Sequence, residues 1–100
     1  MIVVGPLELD PSDGRVLLSG EEVVLRPLER RVLIELATRH GRVVPRRDLA
    51  QALWGEDRGV DLRSVDAFVT RIRRALGDSS GCIVTVRRVG YRFDPERIAG

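Results

Sequence analysis

The chain has one cysteine and one histidine in 100 residues. Cys82 therefore has no partner for an internal disulfide bond, and Cys82 with His40 would need carboxylates to complete a structural zinc site. One histidine near a helix end cannot supply a Ser/His/Asp catalytic set, and no glycine-rich loop is present to cradle a phosphate. We therefore expect no enzyme activity, no metal site and no cofactor.

Long hydrophobic runs are also missing. No stretch approaches the ~20 apolar residues that span a bilayer, and the N-terminus has no signal-peptide pattern. Apolar residues make up 43% of the chain and charged residues 32%, which is the composition of a folded soluble globule. We expect one domain over residues 1–100, located in the cytoplasm.

Lysine is absent, since all 17 basic residues are arginine, and we attribute this to a GC-rich genome. The net charge of +2 does not by itself indicate a nucleic-acid partner. The distribution of charge is more informative. Residues 1–25 hold five acids and one arginine (net −4), whereas residues 62–93 hold seven arginines and two acids (net +5). Such asymmetry is typical of a DNA-binding face on an ordinary protein.

The chain is predicted to fold as a sheet, three helices and a hairpin, an α+β class. Short apolar segments broken by turn residues predict an N-terminal antiparallel sheet within 1–25, with strands at 2–4, 7–9, 15–18 and 23–25. Apolar residues at helical spacing predict three helices within 27–77. The first opens at Pro27 and ends before Gly41, the second covers 45–54 and the third 61–76, with a short extended piece at 43–44 between the first two. A hairpin follows over 82–93, with 87–90 at its tip, and the last residues, 95–100, are expected to fray.

The third helix carries the strongest functional signal. Its apolar side consists of Val65, Phe68, Val69, Ile72 and Leu76. Its other side has arginines, hydroxyls and one small residue, but no acid: Arg63, Ser64, Ala67, Thr70, Arg71 and Arg74. A helix in the DNA major groove needs this chemistry, because guanidinium groups pair with guanine edges and phosphates while small side chains contact thymine methyl groups. The alternative is a solvated face on an ordinary core helix.

Asp66 is an acid at the border of this face. It could accept a hydrogen bond from the N4 amino group of cytosine, or it could pair with Arg63 or Arg73. We expect pairing.

The hairpin that follows is basic, which favours a helix-turn-helix with 61–76 as recognition helix and the hairpin as a wing. Arg87 and Arg88 lie at the tip without a local acid, a placement that insertion into the minor groove explains; a solvent-exposed turn is the alternative. Thr85, Tyr91 and the indole N–H of Trp54 could donate to phosphates, although the first two are also ordinary strand residues.

Three segments carry a resemblance to a known family: LRPLERRVLIELATRHGRVVPRRDLAQALWG, DLRSVDAFVTRIRRALGD and IVTVRRVGYRF. They resemble the C-terminal effector domain of OmpR/PhoB-type response regulators, the bacterial transcription regulators of two-component systems. The resemblance implies a winged helix with a four-stranded N-terminal sheet. It also implies binding to directly repeated DNA sites as a head-to-tail pair, and contact with RNA polymerase through the loop at 55–60. The segments GPLEL and ALWG are also similar to the DNA-binding domain of antibiotic-pathway activators.

The same resemblance assigns roles to individual residues. Base edges would be contacted by Ala67, Thr70 and Arg71. Phosphates would be contacted by Trp54, Arg63, Ser64, Arg73, Arg74, Thr85 and Tyr91. The minor groove would receive Arg87, with Arg88 beside it.

Several positions depart from the family pattern. Arg26 and Pro45 stand where Thr and Ser usually cap the first two helices, so we expect each helix start to be weaker by ~1 kcal/mol. Arg30 replaces a common aromatic residue and Phe68 a common histidine. Arg88 replaces a residue that is usually glycine or another small or polar one, which makes the wing tip more basic.

Taken together, these patterns predict sequence-specific binding to double-stranded DNA for transcription regulation, by a domain that is monomeric in isolation. A different class of function is a winged helix used as a protein-interaction or regulatory appendage, without DNA binding. The arginine face of the third helix favours the first, because an appendage has no need for it. The 100 residues contain no phospho-acceptor receiver domain.

Overall fold

The computed structural model describes residues 1–39, 41–55 and 61–98. The chain begins with a four-stranded antiparallel sheet in the order β1-β2-β3-β4. Its strands are β1 (Ile2–Val4), β2 (Leu7–Leu9), β3 (Val16–Leu18) and β4 (Glu21–Glu22). The fourth strand was predicted at 23–25 and lies earlier, because Ser19 and Gly20 both have positive φ (52° and 83°) and so close a two-residue hairpin. The strand therefore begins directly after Gly20.

Three helices follow, as the apolar spacing predicts. They are α1 (Pro27–Thr38), α2 (Arg46–Trp54) and α3 (Leu62–Leu76). The predicted start of the second helix at residue 45 is wrong by one residue, because Pro45 belongs to a short strand, β5 (Val44–Pro45). Asp61 caps α3 with its carboxylate, which accepts the backbone N–H of Arg63 at 2.9 Å. None of the helices in the described ranges is long and apolar enough to cross a membrane.

The C-terminal hairpin consists of β6 (Ile83–Val86) and β7 (Gly90–Phe93). β5 pairs with the other edge of β7, so this second sheet has the order β5-β7-β6. The predicted tip at 87–90 is shorter by one residue, since Gly90 pairs with Val86 and Pro45 inside the sheet. Residues 77–82 form a 3₁₀ helix that joins α3 to this hairpin. A 3₁₀ turn at 95–97, capped by Asp94, lies where fraying was expected.

The core lies between the helices and the two sheets. α3 buries Val65, Val69, Ile72 and Leu76, as predicted. Phe68 is half-buried and packs against Trp54 of α2 with ring centroids 5.9 Å apart. The polar side of α3 is left on the surface as a consequence.

Gly90 occupies a position that no other residue can fill without moving the backbone. A Cβ atom there would lie 2.0 Å from the carbonyl oxygen of Val44 and 2.9 Å from Cα of Pro45. Because both are backbone atoms, a Gly90→Ala variant has to separate β5 from β7. We expect it to lose at least ~1–3 kcal/mol of unfolding free energy in urea titrations. Gly81→Ala is the matched control, since its Cβ would meet nothing closer than 3.7 Å; equal losses in the two variants would contradict this account.

Candidate nucleic-acid interface

Four arginines on α3 and the wing tip are exposed and unpaired within the described part of the chain. Arg63 and Arg74 lie on α3, and Arg87 and Arg88 lie between β6 and β7. None of their side chains makes a hydrogen bond or ion pair to another described residue, although the backbone N–H of Arg63 donates to Asp61. No described residue therefore occupies any of the five N–H donors of these guanidinium groups.

The wing tip adjoins α3 in space. A shallow pocket of about 200 Å³ between them is lined by Asp66 of α3 and by Thr85, Arg88 and Tyr91 of the wing, among others. Arg88 has a φ of 67°, a left-handed conformation that glycine adopts more readily than arginine. Glycine, which the family resemblance leads us to expect here, would adopt this conformation without that steric cost.

Thr70 lies exposed on the outward side of α3, next to the half-buried Ala67. Its hydroxyl donates to the backbone carbonyl of Asp66 at 3.0 Å, one helical turn earlier. The hydroxyl proton is therefore used within the helix, and the oxygen lone pairs and the methyl group remain. Thr70 can accept from a base amino group or contact a thymine methyl group.

Asp66 pairs with Arg46 of α2, a partner that was not predicted. The Nε of Arg46 donates to Oδ1 of Asp66 at 3.0 Å, and its Nη2 donates to Oδ2. The hydroxyl of Tyr91 also donates to Oδ1, at 2.6 Å. The expected pairing with Arg63 or Arg73 is therefore wrong in its partner, because Asp66 faces the junction of α2 and the wing. Three donors already occupy this carboxylate, so it is not arranged to receive a cytosine amino group.

Arg73 of α3 forms hydrogen bonds to the wing. Its Nε and Nη2 donate to the carbonyl of Ile83 at 3.2 and 2.8 Å, and Nη2 also donates to Oγ1 of Thr85 at 2.7 Å. The guanidinium carbon lies 5.7 Å from the centre of the Tyr91 ring. Arg73, predicted as a phosphate contact, thus uses three of its five N–H groups inside the protein. The hydroxyl of Thr85 accepts here and keeps its own proton for a phosphate.

Tyr91 was also predicted to donate to a phosphate, and the structure places it differently. The side chain is buried, and its single hydroxyl proton is directed to Asp66. Burial, and then the hydrogen bond to Asp66, raise the pKa of Tyr91 to about 12. Tyr91 therefore joins the wing to α3 in this structure and has no proton left for DNA.

The remaining predicted residues lie around this surface. Ser64 and Trp54 are half-buried, and Arg71 lies within 3.7 Å of Glu29 in α1. The loop at 55–60, predicted to contact RNA polymerase, lies outside the described residues except for Gly55. His40 also lies outside them. Sequence reasoning missed the pairing of Arg46 with Asp66 and that of Glu29 with Arg71. The pairing of Arg46 had one available signal in the sequence. Arg46 is a basic residue in the first turn of α2, and the next helix carries a single acid, Asp66.

Comparison with known families agrees with this architecture. Residues 20–93 match the family of transcriptional regulatory proteins, C-terminal domain. The chain belongs to this family. It is 43% identical over 94 residues to the transcriptional regulatory protein AfsQ1 of Streptomyces coelicolor, covering 91% of this chain and 42% of AfsQ1. It is 39% identical over 93 residues to the phosphate regulon regulator PhoB of Pseudomonas aeruginosa, covering 92% and 41%.

A solved structure is also similar to this chain, in both sequence and fold. The RstA DNA-binding domain of Klebsiella pneumoniae, in complex with the RstA box, has a TM-score of 0.82 at 40% identity, covering 94% of this chain and 96% of that one. The OmpR/PhoB-type assignment and the winged-helix fold predicted from the sequence are confirmed. The chain spans about two fifths of the length of the curated relatives named here.

The position of Tyr91 predicts a distinct alkaline titration for this family member. Tyr91 is the chain's only tyrosine, so phenolate absorbance reports this residue alone. We expect half-ionisation near pH 12 in the folded protein and near the ordinary ~10 in the unfolded one. Because the folded state holds the proton more tightly, this contribution to stability is complete below pH ~10 and is lost as the pH rises towards 12.

Urea titrations of the wild type and of Tyr91→Phe isolate this contribution. The wild type should be more stable than the variant below pH ~10, by about 1.5–3 kcal/mol for a hydrogen bond to a charged group, and the difference should shrink above it. A folded-state phenol that titrates near pH 10 would contradict the contact with Asp66.

Proposed function

We propose that this chain binds double-stranded DNA sequence-specifically and regulates transcription. α3 lies in the major groove and the wing tip, residues 87–89, reaches the minor groove. The observation that carries the proposal is the set of four exposed arginines on α3 and the adjoining wing tip, whose side chains have no partner among the described residues. A negatively charged polymer with closely spaced phosphates is the partner that suits such a set.

The relatives support this proposal. AfsQ1 and PhoB are named as transcriptional regulators, and the RstA domain was solved on a DNA site, the RstA box. That domain has almost the same extent as this chain. By analogy, the DNA-binding function lies within the part of the longer relatives that this chain matches.

We propose the following division of roles among the predicted contacts. Base edges are read by Ala67, Thr70 and Arg71. Phosphates are bound by Trp54, Arg63, Ser64, Arg74 and Thr85, with the two N–H groups of Nη1 of Arg73 as further donors. The minor groove is entered by Arg87 and Arg88. Tyr91 is reassigned from phosphate binding to holding the wing.

The wider assembly follows the family resemblance. We propose that the domain is monomeric alone and binds direct repeats as a head-to-tail pair. Contact with RNA polymerase through the loop at 55–60 and a location in the cytoplasm belong to the same proposal, as does the absence of catalysis.

Salt dependence tests the proposal most directly. Binding to fragments of genomic DNA, followed by selection of the bound sequences, would supply a preferred site. With Arg63, Arg73 and Arg74 on phosphates and Arg87 and Arg88 between the phosphates of the minor groove, about five charges are neutralised, and log K should fall with log salt at a slope of about −4 to −5, from ~0.9 per charge. The Arg63→Ala/Arg74→Ala variant should weaken all sequences alike and reduce the slope by about 2.

Arg15→Ala is the control, because Arg15 is an exposed arginine of the N-terminal segment outside α3 and the wing. It should bind as the wild type does. No binding at low salt, or a slope near zero, would reject DNA binding and favour the protein-interaction appendage.

The wing tip gives a second test with a matched pair of variants. Arg88→Gly and Arg88→Ala remove the same charge, but only glycine relieves the left-handed φ of 67°. We expect Arg88→Gly to be more stable than Arg88→Ala by about 1 kcal/mol in thermal melting. Both should lose affinity equally, and most strongly on sites with A·T-rich flanks, because a narrow minor groove concentrates negative potential. Equal losses on A·T and G·C flanks would place Arg88 on the backbone instead.

A further inference from the structure

Glu29 is a charged residue in the protein interior. It lies in the first turn of α1 and is only 4% exposed. Its Oε1 accepts the backbone N–H of Arg26 at 3.0 Å, while its Oε2 accepts no hydrogen bond from any described residue. A buried carboxylate with one oxygen unsatisfied is costly unless a cation compensates its charge.

Arg71 of α3 supplies that cation. Its Nη1 lies 3.7 Å from Oε2 of Glu29, close enough for an ion pair and too far for a hydrogen bond. The Arg71 side chain is 49% exposed, whereas that of Glu29 is 5% exposed. One side of the guanidinium therefore faces a buried charge, and its other N–H groups remain available at the surface.

We propose that Glu29 is a positioning residue for Arg71, and that it holds the guanidinium in one orientation so that its outward N–H groups read a single base pair. This inference rests on the proposed DNA binding by α3. A guanidinium held before binding loses less side-chain freedom when it contacts a base, which favours a bidentate contact of defined geometry. Moving Arg71 away from Glu29 would leave the buried carboxylate without its cation, so the pair persists in the complex.

The other arginines of α3 provide the contrast. Arg63 and Arg74 have no such anchor among the described residues, and an unanchored guanidinium suits a phosphate, which accepts from many directions. The inference therefore distinguishes one arginine that reads sequence from others that supply affinity.

The test uses Glu29→Gln, which retains an oxygen to accept the Arg26 N–H and nearly the same volume but removes the charge. After selection has defined the preferred site, dissociation constants are measured for that site and for each single base-pair change. Arg71→Ala should lose discrimination of about tenfold to a hundredfold at one base pair. Glu29→Gln should lose most of that discrimination at the same base pair, with the other positions and the salt slope unchanged.

Two controls separate positioning from folding. Glu35→Gln breaks another carboxylate–arginine pair of α1, with Arg39 at 3.4 Å, and should leave base preference unchanged. The double variant Glu29→Gln/Arg71→Ala should discriminate no worse than Arg71→Ala, because Glu29 acts only through Arg71. All binding is measured at temperatures where melting curves show each variant folded.

A measurement on the wild type avoids the variants entirely. Nitrogen relaxation of the arginine Nε–H groups in the free protein should show Arg71 more restricted than Arg63 and Arg74. Full discrimination in folded Glu29→Gln, or an Arg71 as mobile as Arg63, would overturn the inference while DNA binding stands. A wild type that does not bind DNA at low salt would overturn both.

Discussion

The carboxylate of Asp66 is the interaction on which the shape of the proposed DNA-binding surface depends. It belongs to α3, accepts from Arg46 of α2 and accepts from Tyr91 of β7. One side chain therefore sets the positions of the two helices of the helix-turn-helix and of the wing. Arg73 ties α3 to β6 on the same side of the helix. An acid on an arginine-rich helix is thus explained by architecture, because the proposed binding in two different grooves requires α3 and the wing to be held at a fixed separation.

The arginines of this chain differ in how many of their guanidinium N–H groups donate to acceptors inside the protein. In Arg46 and Arg73 several guanidinium N–H groups donate to protein acceptors, although both N–H groups of Nη1 in Arg73 remain unused. No guanidinium N–H group of Arg63 or Arg74 donates to a described residue. A lysine ammonium has three donors on one atom and could not bind a carbonyl, a hydroxyl and an external phosphate in this planar arrangement. Genome composition can account for the absence of lysine, but at Arg73 the guanidinium is needed for chemical reasons.

Local patterns predicted the parts of the fold that local forces decide. The buried side of α3 follows from a 3.6-residue period, and Asp61 could be identified as its start from the sequence. The Asp66 contacts join residues 20 and 25 positions apart, to Arg46 and Tyr91, and depend on how the helices and the wing meet. Nothing in the spacing specifies those partners. A short extended piece was predicted at 43–44, but its pairing with β7 as strand β5 was missed for the same reason. Gly90 carried a signal for that pairing, since a glycine inside a strand indicates that another backbone approaches closely.

Glu29 connects the start of α1 with the DNA-facing side of α3. Arg26 stands where the family usually has a threonine, and a guanidinium has no lone pair with which to cap the helix. The backbone N–H of Arg26 nevertheless bonds to Oε1 of Glu29, so half of the usual reciprocal cap survives. The second oxygen of the same carboxylate faces Arg71. A displacement of the first turn of α1 therefore moves the charge that orients Arg71, which couples this helix terminus to the reading of DNA.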